Sequence, residues 1–141
     1  MKKEHTDAAN WMLLTGIFFF LSVASAIAAD APDIPPVPTP DMVTMVDLGA
    51  HKCIPCKMMA PIIEELQKEY ADRASIIFID VWEHKEQARR FGIRGIPTQI
   101  FYDNQGKEVG RHIGFLDKKS IMDMFDKLGV PGKDNSEKEA K

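Results

Sequence analysis

The apolar and polar positions of the chain fall into two periods. Met42-Val43-Thr44-Met45-Val46-Asp47-Leu48-Gly49 is a nearly continuous apolar run with β-branched residues, which predicts a buried strand interrupted by one acid, Asp47. From Pro55 to Tyr70 the residues Met58, Met59, Ile62, Ile63, Leu66 and Tyr70 recur at helical spacing, and Glu64, Glu65, Gln67, Lys68 and Glu69 fill the other face, so an amphipathic helix is expected. Pro61 lies inside it, lacks an N–H and crowds the preceding turn, which predicts a kink about one turn past Cys56. Ser75 to Val81 is apolar almost throughout, as a parallel strand covered on both faces must be. A short helix from His84 to Phe91, a strand from Gly95 to Tyr102, a turn at Asp103-Asn104-Gln105-Gly106 and a strand from Lys107 to Gly114 follow. Asp117 is placed to cap a last helix, Lys118 to Leu128, with Ile121, Met124, Phe125 and Leu128 on one face and Gly129 at its end. The order β-α-β-α-β-β-α predicts an α/β domain, a mixed central sheet flanked by helices.

The flanks have a different pattern. Lys2 and Lys3 precede an uncharged run, Ala8 to Ala29, with an apolar centre and a small-residue end; residues 1–29 therefore read as a secretory signal peptide, or as an uncleaved N-terminal membrane anchor. Either reading exports the domain. Residues 30–41 hold five of the nine prolines and are expected to form a semi-rigid spacer. The folded domain is expected over 42–130, and 131–141, almost without apolar side chains, as a flexible charged tail.

Composition narrows the function. At 141 residues and 45% hydrophobic content the chain supplies one catalytic domain. Eighteen basic residues against 21 acidic give a net charge of −3 and no basic stripe, so no nucleic-acid partner is expected. Its two cysteines, Cys53 and Cys56, stand three apart, too close to restrain the unfolded chain much by cross-linking. They are better suited to chemistry. At a helix start, unsatisfied N–H groups and the positive dipole end favour thiolate at Cys53, while Cys56 lies one turn inward; the first sulfur attacks and the second resolves. Zinc would need four ligands where two are at hand, and His5, His51, His84 and His112 form no ligand pair, so no metal and no cofactor is expected. Met58 and Met59 beside the dithiol are soft enough for Cu(I), although the buried stripe of the helix accounts for both. A buried carboxyl at Asp47 would be a proton acceptor suited to a dithiol. His51 and Lys52 read as an exposed loop whose cations favour a Cys53 thiolate, and Trp82 reads as packing.

Three pieces in order, Val46-Asp47, then Cys53-Ile54-Pro55-Cys56-Lys57-Met58-Met59-Ala60-Pro61-Ile62, then Phe91-Gly92-Ile93-Arg94-Gly95-Ile96-Pro97-Thr98, make the segment from Val43 to Leu128 resemble thioredoxin. The resemblance implies the thioredoxin fold, a cis bond at Ile96-Pro97 facing the cysteines, and Asp47 buried beneath the inner sulfur. It also implies dithiol/disulfide exchange, with Cys53, Cys56 and Asp47 catalytic and Ile54, Pro55, Ile96 and Pro97 meeting the substrate. Protein disulfides are the expected substrates of an exported monomer, with a membrane-embedded thiol carrier supplying electrons in the periplasm. The direction implied is protein-disulfide reduction; an oxidant or isomerase, or a copper-binding or chaperone-like module, are the alternatives. The chain departs from the family pattern at Lys52 in place of Trp, at Ile54 in place of Gly, and at Phe78 where many members carry a lysine that pairs with the buried acid. The family's first strand and helix are replaced by the proline spacer, and the turn at 103–106 is one residue longer, as in exported relatives.

Overall fold

A computed structural model describes residues 34–133, all within one unit, Asp33–Lys141. The predicted signal peptide or anchor, the start of the spacer and residues 134–141 lie outside the described residues. Among the described residues no helix is long and apolar enough to cross a membrane.

The elements follow the expected order: β1 Thr44–Gly49, α1 Ile54–Glu69, β2 Ser75–Asp80, α2 Lys85–Arg90, β3 Thr98–Tyr102, β4 Glu108–Ile113 and α3 Lys118–Lys127. They form one mixed sheet in the order β2-β1-β3-β4, with β1 parallel to β2 and the other neighbours antiparallel. β1, flanked on both sides, is buried at all six positions. Because successive side chains leave a strand on opposite faces, its odd and even residues enter different cores. Met45 joins Met59, Ile63 and Leu66 of α1 and Ile121 and Phe125 of α3 on one face; Val46 and Leu48 join Ile77, Ile79, Ile100 and Phe91 on the other. Asp47 and Gly49 share the face of Met45, so both look toward α1.

Local signals hold at the termini. Asp117 caps α3 by accepting from the Ser120 N–H at 3.0 Å, and Gly129 follows the helix with φ +80°, a left-handed conformation that needs no Cβ. In the turn, Asp103 Oδ1 accepts from the N–H groups of Gln105 and Lys107.

α1 runs through Pro61 to Glu69, with the proline on its exposed side. At both ends of the domain the packing reaches past 42–130. The spacer does not stop short of the fold: Val37 is buried against the second core, its carbonyl accepts from Arg90 Nη2 at 3.1 Å, and the Thr39 hydroxyl donates to Ser75 Oγ at 2.7 Å. One β-branched apolar residue among prolines thus anchors 34–40, and the domain begins before residue 42. At the other end the Arg73 guanidinium donates to the Pro131 carbonyl and Gly132 is buried, so the packed chain runs slightly past 130.

Candidate active site

Cys53 is the N-cap of α1, in extended backbone (φ −84°, ψ 127°), with Pro55 fixing the first turn. The Cys53 N–H donates to the Ala50 carbonyl at 3.1 Å, and the Cys53 carbonyl accepts from the Lys57 N–H at 3.0 Å. Cys53 is partly exposed; Cys56, one turn on, is buried. Burial, and then the hydrogen bond with Cys53, push the Cys56 thiol up to about 12. Gly49 makes room for this sulfur, since a Cβ there would stand 3.4 Å from Cys56 Sγ and only 3.0 Å from Phe78 Cε2. Cys56 therefore sits against the face of β1 that carries Asp47.

Asp47 is fully buried at the centre of the sheet, with Phe78 its register partner on β2 and Gln99 its partner on β3. Phe78 brings no charge to it. Gln99, also fully buried, donates from Nε2 to Asp47 Oδ1 at 2.7 Å. Burial raises Asp47 to about 6, against the lowering effect of the Gln99 amide. Sequence reasoning missed Gln99. The signal was present, because an amide inside Thr98-Gln99-Ile100-Phe101 is as odd as an acid inside β1, but joining the two takes the β1–β3 register.

His51 is only in part the free loop residue expected. Its N–H donates to Asp80 Oδ2 at 2.8 Å and its ring Nδ1 lies 2.6 Å from the same oxygen, while Asp80 Oδ1 accepts from the N–H groups of Trp82 and Glu83. Burial alone would raise Asp80, but these partners outweigh it and hold the carboxyl at about 2. His51, Asp80 and Glu83 bring three possible ligand atoms within 4.8 Å of one another, a cluster invisible to residue spacing; both Asp80 oxygens are already engaged. A cleft of about 280 Å³ lined by His51, Cys56, Lys57, Gln67 and Phe78 opens beside the inner sulfur.

Exposed apolar side chains follow Cys53 and recur at the end of β4 and just after it. Ile54 is 77% exposed and Pro55 is exposed. The Ile96–Pro97 bond is cis, Ile96 is partly exposed and Pro97 is buried, its carbonyl accepting from the Gly114 N–H at 2.8 Å. Ile113 and Phe115, which the sequence reading passed over, stand exposed beside Gly114. The same segment is tied to α1 where the Leu116 N–H meets Met59 Sδ at 3.3 Å. Met59 is in the core as expected, but Met58 is 55% exposed, because adjacent helical residues point about 100° apart and one stripe cannot hold both. Trp82 is exposed as well and packs into neither core.

The family model for thioredoxin matches residues 36–127, which span every strand and helix described above. The chain belongs to the thioredoxin family. Among curated relatives it is similar to the thioredoxin of Bacillus subtilis, 37% identical over 89 residues that cover 63% of this chain and 85% of that one. It is likewise similar to the thioredoxin of Staphylococcus haemolyticus, 39% identical over 85 residues, 60% of this chain and 81% of that one. A solved structure described as that of a malarial protein superposes with a TM-score of 0.57 at 24% identity, over 62% of this chain and 97% of that chain, which supports the fold. With Cys53 and Cys56 in place, membership makes this thioredoxin-family chain a thiol-disulfide oxidoreductase.

Proposed function

We propose that the chain is an exported protein-disulfide reductase whose Cys53 attacks and whose Cys56 resolves. The observation that carries this reading is the depth order at the head of α1: a partly exposed sulfur at the N-cap, a buried one behind it, and a buried carboxyl on the strand face below. The Cys53 thiolate attacks a substrate disulfide; one substrate sulfur leaves as thiolate and the other becomes bonded to Cys53. Cys56 then gives its proton to Asp47 and its sulfur attacks Cys53, so that the second substrate sulfur leaves with the electron pair of the broken bond. The chain ends as the Cys53–Cys56 disulfide, the substrate is reduced by two electrons, and the proton passes from Asp47 to a leaving thiolate or to water. An extended substrate segment would run along Ile96, against the apolar rim of Ile54, Pro55, Ile113 and Phe115.

Lys2, Lys3 and the apolar run after them support a bacterial periplasm as the compartment, entered through a cleaved signal or a retained anchor. That compartment is kept oxidising, so a reductase there needs electrons carried across the membrane, and a membrane-embedded thiol carrier is the partner proposed. The test is turnover of the reduced chain on insulin disulfides, paired with a fusion of residues 1–40 to a phosphatase active only after export. Catalysed reduction and an active fusion are expected. Catalysed oxidation of a reduced protein, or an inactive fusion, would overturn the respective half of the proposal.

A further inference from the structure

Asp47 has two oxygens in different situations. Oδ1 accepts the Gln99 amide at 2.7 Å, whereas Oδ2 is buried with no hydrogen-bond partner among the described residues. Side chains at register partners leave a sheet on the same face, so Phe78, Asp47 and Gln99 stand in a row across β2, β1 and β3. Gly49, two residues along β1, carries Cys56 Sγ on that same face. The head of α1 adds the titratable groups near this row, Cys56 with Cys53 and Lys57 beside it; β2 and β3 contribute an aromatic ring and a neutral amide.

We propose that Gln99 is a positioning residue for the exchange reaction: by holding Asp47 Oδ1 it fixes the carboxyl and leaves Oδ2 as the atom that takes the Cys56 proton. The inference rests on the reading of Asp47 as proton acceptor. Its chemistry depends on Gln99 being a neutral donor. A cation at this place would hold Asp47 ionised and make its conjugate acid too strong, and an apolar side chain would leave the carboxyl protonated and unable to accept. An amide favours the carboxylate without neutralising it, which keeps the acid within reach of both states near neutral pH. In the step itself the S–H bond of Cys56 breaks, the proton goes to Oδ2, the sulfur electron pair forms the bond to Cys53 Sγ, and the bond from Cys53 to the substrate sulfur breaks.

Gln99→Leu and Gln99→Lys separate this from a packing role. The Asp47 side-chain carboxyl carbon is followed by NMR against pH in the oxidised protein, and turnover is followed over the same range. Gln99→Leu should move the Asp47 midpoint up by about one pH unit or more, Gln99→Lys should move it down, and the pH profile of turnover should move with each. An unmoved midpoint in both, while Asp47→Asn still slows turnover, would overturn the role of Gln99 and leave that of Asp47 standing. Full activity of Asp47→Asn would instead remove the reading on which the inference rests. If neither Gln99 variant folds, the wild-type Gln99 side-chain amide resonances decide: they should titrate with Asp47 and stop doing so in Asp47→Asn, and an amide indifferent to pH would contradict the proposal.

Discussion

Asp47→Asn should make the protein more stable at pH 8 and a slower catalyst. The carboxyl stands at about 6 in the folded chain against an ordinary value of 3.8, with burial as the cause. Below pH 3.8 folded and unfolded chains both hold the proton, and the group takes nothing from stability. As pH rises from there, the unfolded chain ionises first and the fold is penalised. The penalty stops growing above about 6, where the folded chain ionises too. A little over two pH units at about 1.4 kcal/mol each sets its full size at about 3 kcal/mol. Asn cannot ionise and fills the same space, so urea unfolding of the oxidised form should show a gain of about 1–3 kcal/mol at pH 8 that vanishes near pH 4. Loss of the proton acceptor should slow insulin reduction by a factor on the order of 10–100. A variant that is less stable and fully active would make Asp47 merely a hydrogen-bond partner of Gln99.

Cys56→Ser should abolish turnover and leave substrate proteins covalently held on Cys53, because a mixed disulfide persists only when its resolving thiol is gone. Cys53→Ser should also be inactive but hold almost nothing, since the remaining thiol is buried and its pKa is pushed up to about 12, which leaves little thiolate to attack. Non-reducing gels of extracts from cells expressing each variant read the difference directly. Equal trapping by the two would show that burial does not separate the sulfurs into attacking and resolving roles.

Much of this fold is legible along the chain because local chemistry and tertiary packing agree. The apolar run of β1, the stripe of α1, the Asp117 cap and the left-handed Gly129 each require only neighbours in sequence. What was not legible depends on register and on which single residue wins a contact. Gln99 meets Asp47 only once β1 and β3 are paired. Asp80 reaches His51 because the parallel β1–β2 register sets Gly49 beside Asp80, bringing the two strand ends together. Proline content says nothing of Val37, whose burial holds its segment against the second core. Met58 and Met59 are alike in composition, and only the helical phase sends one to the core and the other to the surface.

The reduction potential of the Cys53/Cys56 couple tests the central claim most directly. A dithiol is oxidising when its reduced form is stabilised, as by a strongly favoured thiolate, and a protein-disulfide reductase requires the opposite poise. Equilibration of the full chain with a thiol/disulfide buffer at pH 7 should give a potential near about −270 mV, the region of reducing thioredoxins. A value near about −120 mV, where the strong periplasmic oxidants lie, would contradict the account and make the chain a donor of disulfides.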